Sequence, residues 1–209
     1  MKGEDYKIFQ FKGLTFKIHP KVYDPAEDTF QLIESIKIRK DDKMLDVGCG
    51  CGVIGLVCAK KETSVVCTDV NPFAIENTKK NYIHNKELIK GYFDVRKGDL
   101  FSALKENEKF DVIVFNPPYL PSLKENIIHE KWFNKAVDGG KTGLEVTKKF
   151  ILNVSKYLNS TGSVYFVFSS LSNKGYLFDI ISKTSFKYDI MNSYMYDKEK
   201  IEIFRLKNR

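Results

Sequence analysis

The run KMLDVGCGCGVIGLVCAKKETSVVCTDV, Lys43 to Val70, decides the fold. Its first five residues read as a strand, and Gly48, Gly50, Gly52 and Gly55 follow it closely. VIGLVCAKK (53–61) then reads as a helix, and SVVCTDV (64–70) is strand-like again. Strand, tight turn, helix and strand in that order form a parallel crossover unit. Glycines at the strand exit permit the turn and let a ligand approach the backbone at the helix start, where unpaired N–H groups point outward.

Working outward, the alternation continues. Asn71 and Pro72 open a helical stretch, FAIENTKKNYIHNKE (73–87), and the strands YFDVRKG (92–98) and FDVIVF (110–115) follow. A helix is expected from about Gly143 to Leu158, a strand at SVYFVFS (163–169) and a helix near Leu171 to Ile181. FKYDIMNSYMY (186–196) and KIEIFRL (200–206) are joined by a short link, Asp197 to Glu199, so they should pair antiparallel. Upstream, YKIFQF and LTFKIH flank Lys12-Gly13 as a small hairpin, and PAEDTFQLIESIKI (25–38) has Leu32, Ile33 and Ile36 at helical spacing behind an acidic first turn. The expected fold is α/β: a Rossmann-like, mostly parallel seven-stranded sheet with an antiparallel end, helices on both faces and an N-terminal hairpin. At 209 residues one domain spanning 1–209 is the expectation.

Composition narrows the function. The hydrophobic share of 43% fits a soluble globular protein. No window reads as a membrane span and the start lacks the apolar core of a signal peptide, so a cytoplasmic protein is expected, with no membrane partner. Net charge is +7, but only Arg39, Arg96, Arg205 and Arg209 among the 34 basic residues are arginine. Arginine makes the bidentate contacts to phosphate and guanine, so a nucleic-acid face is possible but not favoured. Cys49, Cys51, Cys58 and Cys67 have no histidine nearby to complete a zinc spacing and are read as reduced packing thiols; no metal site is expected. His19, His84 and His129 are scattered and read as ordinary histidines.

Gly50-x-Gly52-x-x-Gly55 satisfies the dinucleotide fingerprint, and Asp69 lies nineteen residues after Gly50. A nicotinamide-dependent oxidoreductase therefore stays open, as does a plain tight turn. Asp69 at a strand end can accept from ribose hydroxyls; alternatively it or Asn71 caps the next helix. Asp99 in KGDLF can accept from an exocyclic amine, with Leu100 against the ring, or be an ordinary turn aspartate.

FDVIVFNPPYL, Phe110 to Leu120, ends a strand against an amide and two prolines. Pro117 and Pro118 restrict the backbone, so the Asn116 side chain and the Pro117 carbonyl stand as rigid acceptors. Two fixed acceptors can hold both hydrogens of a planar NH2 group and oppose delocalisation of its lone pair, with Tyr119 stacking on the group or facing a cation. Such a site suits methyl transfer to a planar nitrogen, where alignment supplies most of the help.

NPPY with LDVGCGCG resembles the class I S-adenosylmethionine-dependent methyltransferases that modify planar nitrogens, among them DNA amino-methyltransferases and HemK-type glutamine methyltransferases. VYDPAEDTFQL (22–32) and VDGGKTGLEV (137–146) resemble the eukaryotic and archaeal HemK-like branch, which lacks the N-terminal helical domain of bacterial HemK proteins. The resemblance covers essentially the whole chain. It implies methylation of the glutamine of a Gly-Gly-Gln motif in a class I translation release factor, with adenine in DNA or RNA as the alternative acceptor. It further implies that Glu27, Asp28 and Thr29 close over the methionine end of S-adenosylmethionine and that Asp46, Gly48, Gly50 and Gly52 line the cofactor turn. Asp69 would hold the ribose, Asp99 and Leu100 the adenine, and Asn116, Pro117 and Tyr119 the glutamine amide. Cys49 and Cys51 stand where small hydroxyl residues are common, which suggests sensitivity to oxidation.

The branch also works with a small zinc-binding activator subunit, expected along the third-strand edge at GYFDVRK (91–97) through Tyr92 or Phe93. KENIIHEKWFNKAVDGGKTG (124–143) has few structural signals and is expected to border the substrate groove, with Trp132 at its entrance or as an aromatic plug.

Overall fold

The computed structural model describes residues 6–122 and 131–209. An antiparallel hairpin, β1 (Lys7–Phe11) and β2 (Leu14–Ile18), precedes α1 (Glu27–Ser35). The crossover series follows as β3 (Lys43–Val47), α2 (Val53–Ala59), β4 (Ser64–Asp69), α3 (Pro72–His84), β5 (Phe93–Lys97) and β6 (Phe110–Phe115). After α4 (Lys131–Val137) and α5 (Glu145–Asn153) the chain closes with β7 (Leu158–Ser169), α6 (Lys174–Ser182), β8 (Phe186–Tyr196) and β9 (Glu199–Asn208).

Seven strands form one sheet in the order β5-β4-β3-β6-β7-β9-β8. The five strands from β5 to β7 are parallel, and β9 pairs antiparallel with both β7 and β8. From β3 the chain moves outward to β4 and β5, then returns to place β6 on the other side of β3. The carboxyl ends of β3 and β6 therefore flank the switch point where crevices open in such sheets. The glycine turn leaves β3 there and Asn-Pro-Pro-Tyr leaves β6, so topology alone brings the two motifs together.

Both sheet faces are covered, which is why the central strands are continuously apolar. Along β6, Val112 and Val114 join the core shared with the hairpin, α1 and α2, while Ile113 and Phe115 point into the core under α5 and α6.

The hairpin is held by an asparagine ladder. Asn77, Asn81 and Asn85 lie on one face of α3 and its C-cap, spaced four apart, all buried. Asn85 accepts from Thr15 N and donates to Thr15 O; Asn81 does the same for Lys17; Asn77 accepts from His19 N and donates to Lys17 O. The helix thus supplies the donors and acceptors that a third strand would. Without them these backbone groups would be orphaned, at about 1–3 kcal/mol for each one buried.

Several boundaries differ from the sequence expectation. The helix expected to run to Leu158 ends at Asn153, because a 3-10 turn (Val154–Tyr157) follows and Leu158 already pairs with Phe110 at the start of a twelve-residue β7. The helix near Leu171 starts at Lys174, where Asn173 caps it by accepting from Tyr176 N. Within 124–143, Lys131–Val137 is helical rather than loop; the preceding residues, His129 included, lie outside the described residues. No helix among the described residues is long and apolar enough to cross a membrane.

Candidate active site

The crevice at the β3/β6 switch point is a cavity of about 350 Å³. The glycine turn forms its floor, and α3 pins that turn from behind. Thr78 donates to Gly50 O (2.9 Å), Asn81 donates to Cys51 O (2.9 Å), and the Asp69 carboxylate accepts from Gly50 N (2.9 Å). Gly48, Gly50 and Gly52 all have positive φ, and a Cβ on Gly52 would sit 2.7 Å from Thr78 Cγ2, so side chains are excluded there by strain and by space.

Asp69 is drawn into this scaffold at both oxygens, since it also accepts from Asn71 N (2.8 Å). The capping role falls to Asn71, whose side chain accepts from Phe73 N. Burial raises the Asp69 carboxyl above its usual range, against the lowering effect of these N–H groups. The carboxylate still lines the cavity, each oxygen retaining a lone pair for a ligand. Asp99 and Leu100 line the same wall; Leu100 is held at φ 49°, a conformation that costs a non-glycine residue energy.

At the opposite end, Asp28 organises the NPPY corner. Its buried carboxylate accepts from Asn116 Nδ2 (3.0 Å) and the Tyr119 hydroxyl (3.1 Å) through Oδ2, and from Thr29 N (2.7 Å) through Oδ1. The Thr29 hydroxyl takes a second bond from Asn116 Nδ2 (3.0 Å). With its NH2 group committed to a carboxylate and a hydroxyl, the Asn116 amide has one allowed orientation. Asn116 Oδ1 then remains as a buried acceptor with no partner. Asp28 has only neutral donors around it, so its negative charge is uncompensated among the described residues.

The glycine-rich segment after α4 supports the same corner. Leu120 N donates to Val137 O and Gly139 N to Leu120 O, while the Ser172 hydroxyl donates to Tyr119 O (2.9 Å). A Cβ on Gly139 would lie 2.7 Å from Pro118 O, and one on Gly143 (φ 76°) would lie 2.5 Å from Tyr119 O. VDGGKTGLEV is therefore the platform against which Pro118 and Tyr119 are packed. Trp132 lines the cavity wall, together with Lys135 and Ala136 of α4.

Not every residue expected at the cofactor reaches the cavity. Glu27 is exposed on α1, where it accepts from Gln31 Nε2, and is not part of the lining. Gly52 lies behind the turn, and Asp46 is fully buried beneath it, accepting from Gly55 N (3.0 Å) with Oδ1 unpartnered. Asp28 and Thr29 line the cavity, but their observed bonds go to Asn116 and Tyr119. Cys49 and Cys51 line the cavity with side chains almost fully buried; desolvation pushes Cys51 up to about 12 and Cys49 is raised as well, so the little thiolate character they retain works against the expected oxidation sensitivity. Cys58 and Cys67 are likewise buried in the core. His19 is buried and stacks on Phe73 (4.9 Å). Thr78 and Asn81, which hold the turn, and Asn77 and Asn85, which with Asn81 hold the hairpin, were missed in the sequence, although asparagines at 77, 81 and 85, at helical spacing, were a legible signal.

Asp46 carries a testable consequence. Burial, reinforced by the charge of Asp69 and opposed by Gly55 N, raises its carboxyl from 3.8 to about 7. Because the folded value lies above the unfolded one, the folded state holds the proton more tightly. The favourable contribution is complete below about pH 4 and is lost as pH rises to about 7. Asp46→Asn cannot ionise. Its melting temperature relative to the parent should climb between pH 4 and 7 and level off above; a difference independent of pH in a denaturation series would refute this assignment.

An open, mostly parallel sheet with a glycine turn after β3 and a rigid Asn-Pro-Pro-Tyr corner after β6 defines a class I methyltransferase. The methyltransferase small domain family matches residues 19–139. A putative protein N5-glutamine methyltransferase of Methanocaldococcus jannaschii is 37% identical over 184 residues, covering 88% of this chain and 90% of that one. The release factor glutamine methyltransferase of Clostridium botulinum is 32% identical over 169 residues, covering 75% of this chain and 59% of its own length. In structure, the Mtq2-Trm112 complex of E. cuniculi, which methylates the eRF1 translation termination factor, matches with a TM-score of 0.68 at 23% identity, covering 90% of this chain and 99% of that one; this likeness supports the fold. The chain belongs to the methyltransferase small domain family and, within it, to the HemK-like protein-glutamine methyltransferases. That membership sets aside the nicotinamide oxidoreductase that the glycine fingerprint had left open.

Proposed function

We propose that this enzyme methylates the side-chain amide nitrogen of the glutamine in the Gly-Gly-Gln motif of a class I translation release factor, using S-adenosylmethionine. The observation that carries the reading is the Asn116 amide: its NH2 is tied to Asp28 and Thr29, so its unpartnered Oδ1 can face the N–H of an incoming planar amide. The Pro117 carbonyl is the second acceptor, and Tyr119 packs beside the group. The names of the archaeal and clostridial relatives agree with a glutamine acceptor.

The cavity also fits the cofactor. Asp69 can accept from ribose hydroxyls, Asp99 and Leu100 can hold the adenine, and Gly48 and Gly50 leave room against the turn. The uncompensated Asp28 carboxylate suits a cation, with Thr29 beside it; Glu27, Asp46 and Gly52 would act from outside the lining, by supporting the local backbone. When bound, S-adenosylmethionine supplies a methyl group already activated on a sulfonium sulfur. The protein's task is then to align a weak nucleophile and hold its hydrogens away from the plane, with the proton passing to water.

The reading extends to a small zinc-binding activator subunit. Among the described residues β5 is an edge strand that pairs only with β4, and Tyr92 beside it is 63% exposed, whereas Phe93 is partly buried and stacks on Tyr82 (4.9 Å). Of the two aromatics, Tyr92 is therefore the contact for a partner. The proposal places the activity in the cytoplasm.

Labelled S-adenosylmethionine with purified release factor, its Gln→Ala variant, and single- or double-stranded DNA or RNA, each with and without the activator subunit, tests the proposal. Label should enter the factor and not the Gln→Ala variant. Label in nucleic acid alone would replace glutamine by adenine as the acceptor.

A further inference from the structure

β8 and β9 are joined by a two-residue turn, with Tyr196 opposite Glu199 in the ladder and Asp197 at φ 55°. The turn brings Glu199, the first residue of β9, into the wall of the catalytic cavity, where Tyr23, Asp28 and Tyr119 also lie. Glu199 Oε1 is buried and has no hydrogen-bond partner. Tyr194 of β8, which faces the same group of acids, has a buried hydroxyl that is also unpartnered. Burial, the Asp28 charge and, further down, the Glu199 charge all push the Tyr23 and Tyr119 phenols upward, so the two phenols and the two carboxylates are close neighbours.

A desolvated carboxylate oxygen without a donor is costly, and folded proteins seldom retain one unless a water, an ion or a ligand completes it. Asp28 has spent its oxygens on Asn116, Tyr119 and Thr29, whereas Glu199 Oε1 has no such donor. Asp69, Asp99 and Leu100 mark the far end of the cavity, whereas Glu199 stands at the end that holds Asn116 and Tyr119. Its missing donor is therefore expected from the acceptor molecule.

We propose that Glu199 is a substrate-binding residue that accepts an N–H of the polypeptide next to the methylated glutamine, so that the β8–β9 hairpin forms the peptide-reading wall of the site. This rests on the glutamine reading above and deepens it: the substrate is recognised as a peptide with a free N–H beside its side-chain amide.

Steady-state kinetics with the release factor test it, alongside calorimetry with S-adenosylmethionine. Glu199→Ala should raise KM for the factor by about 10- to 100-fold, the usual loss for a hydrogen bond to a charged group, with kcat within about threefold. Glu199→Gln, which keeps an acceptor oxygen, should recover part of that loss. Cofactor affinity should match the parent in both variants, and the melting temperature of the free enzyme should not fall, because the oxygen removed has no partner there. An unchanged KM in Glu199→Ala overturns the proposal, and so does an equal loss of cofactor affinity, which would mark a structural role. A parent enzyme that binds cofactor yet, with the activator subunit present, transfers nothing to the factor removes the glutamine reading and this proposal with it.

Discussion

Asn116→Ala is expected to lower kcat for methyl transfer by at least about 100-fold, the scale seen when a preorganised hydrogen-bonding group is removed from an active site. Cofactor affinity should stay within about threefold, because the ribose and adenine contacts proposed for Asp69 and Asp99 are untouched. The reason is geometric. Asn116 stands at the end of a buried strand, is followed by two prolines, and has its amide orientation set by Asp28 and Thr29. Alanine would leave the Pro117 carbonyl as a lone acceptor, and a single acceptor neither fixes the orientation of an NH2 group nor draws both its hydrogens out of the amide plane. Single-turnover rates with saturating cofactor and release factor measure the effect. Near-parental turnover would show that alignment comes from elsewhere.

Asp28→Asn should be nearly as damaging, with a loss of about 100-fold in kcat, even though it preserves size and hydrogen-bonding capacity. An asparagine at position 28 must keep its oxygen toward Thr29 N, because a backbone N–H cannot rotate away. Its NH2 then faces the Asn116 NH2 and the Tyr119 hydroxyl. The hydroxyl can turn, but Asn116 can relieve the clash only by flipping, which points its own NH2 at the substrate. Donor would face donor at the reacting nitrogen. Asp28→Ala removes the clash but also the anchor, so Asp28→Asn should be no more active than Asp28→Ala. An Asp28→Asn enzyme with parental kcat would mean that the Asn116 orientation does not depend on the carboxylate.

These two residues also show how legible the site was. Asn116 could be read from the chain, because a strand ending in Asn-Pro-Pro-Tyr leaves few uses for its amide. Asp28 was recognised through its motif and expected at the cofactor. Its bonds to a residue 88 positions away have no local trace. Glu199 left no signal either: an acid beside a hairpin turn is ordinary until the turn is seen to reach the crevice. For Asp46 the sequence signal pointed to the glycine turn but missed that the residue stands in β3 beneath it, since burial is a property of what packs on top.

The sequence by itself determined the α/β alternation, the parallel order of the central strands, the glycine turn and the rigid NPPY corner. Each rests on interactions within a few residues: strand and helix periodicity, backbone freedom at glycine, backbone restriction at proline. Only the tertiary structure decided that Asp28 and Thr29 orient Asn116, that α3 pins the glycine turn and replaces a third strand of the hairpin, and that Gly139 and Gly143 support Pro118 and Tyr119. Those depend on which groups meet across long chain separations, and on which polar atoms are left unsatisfied once water has been excluded.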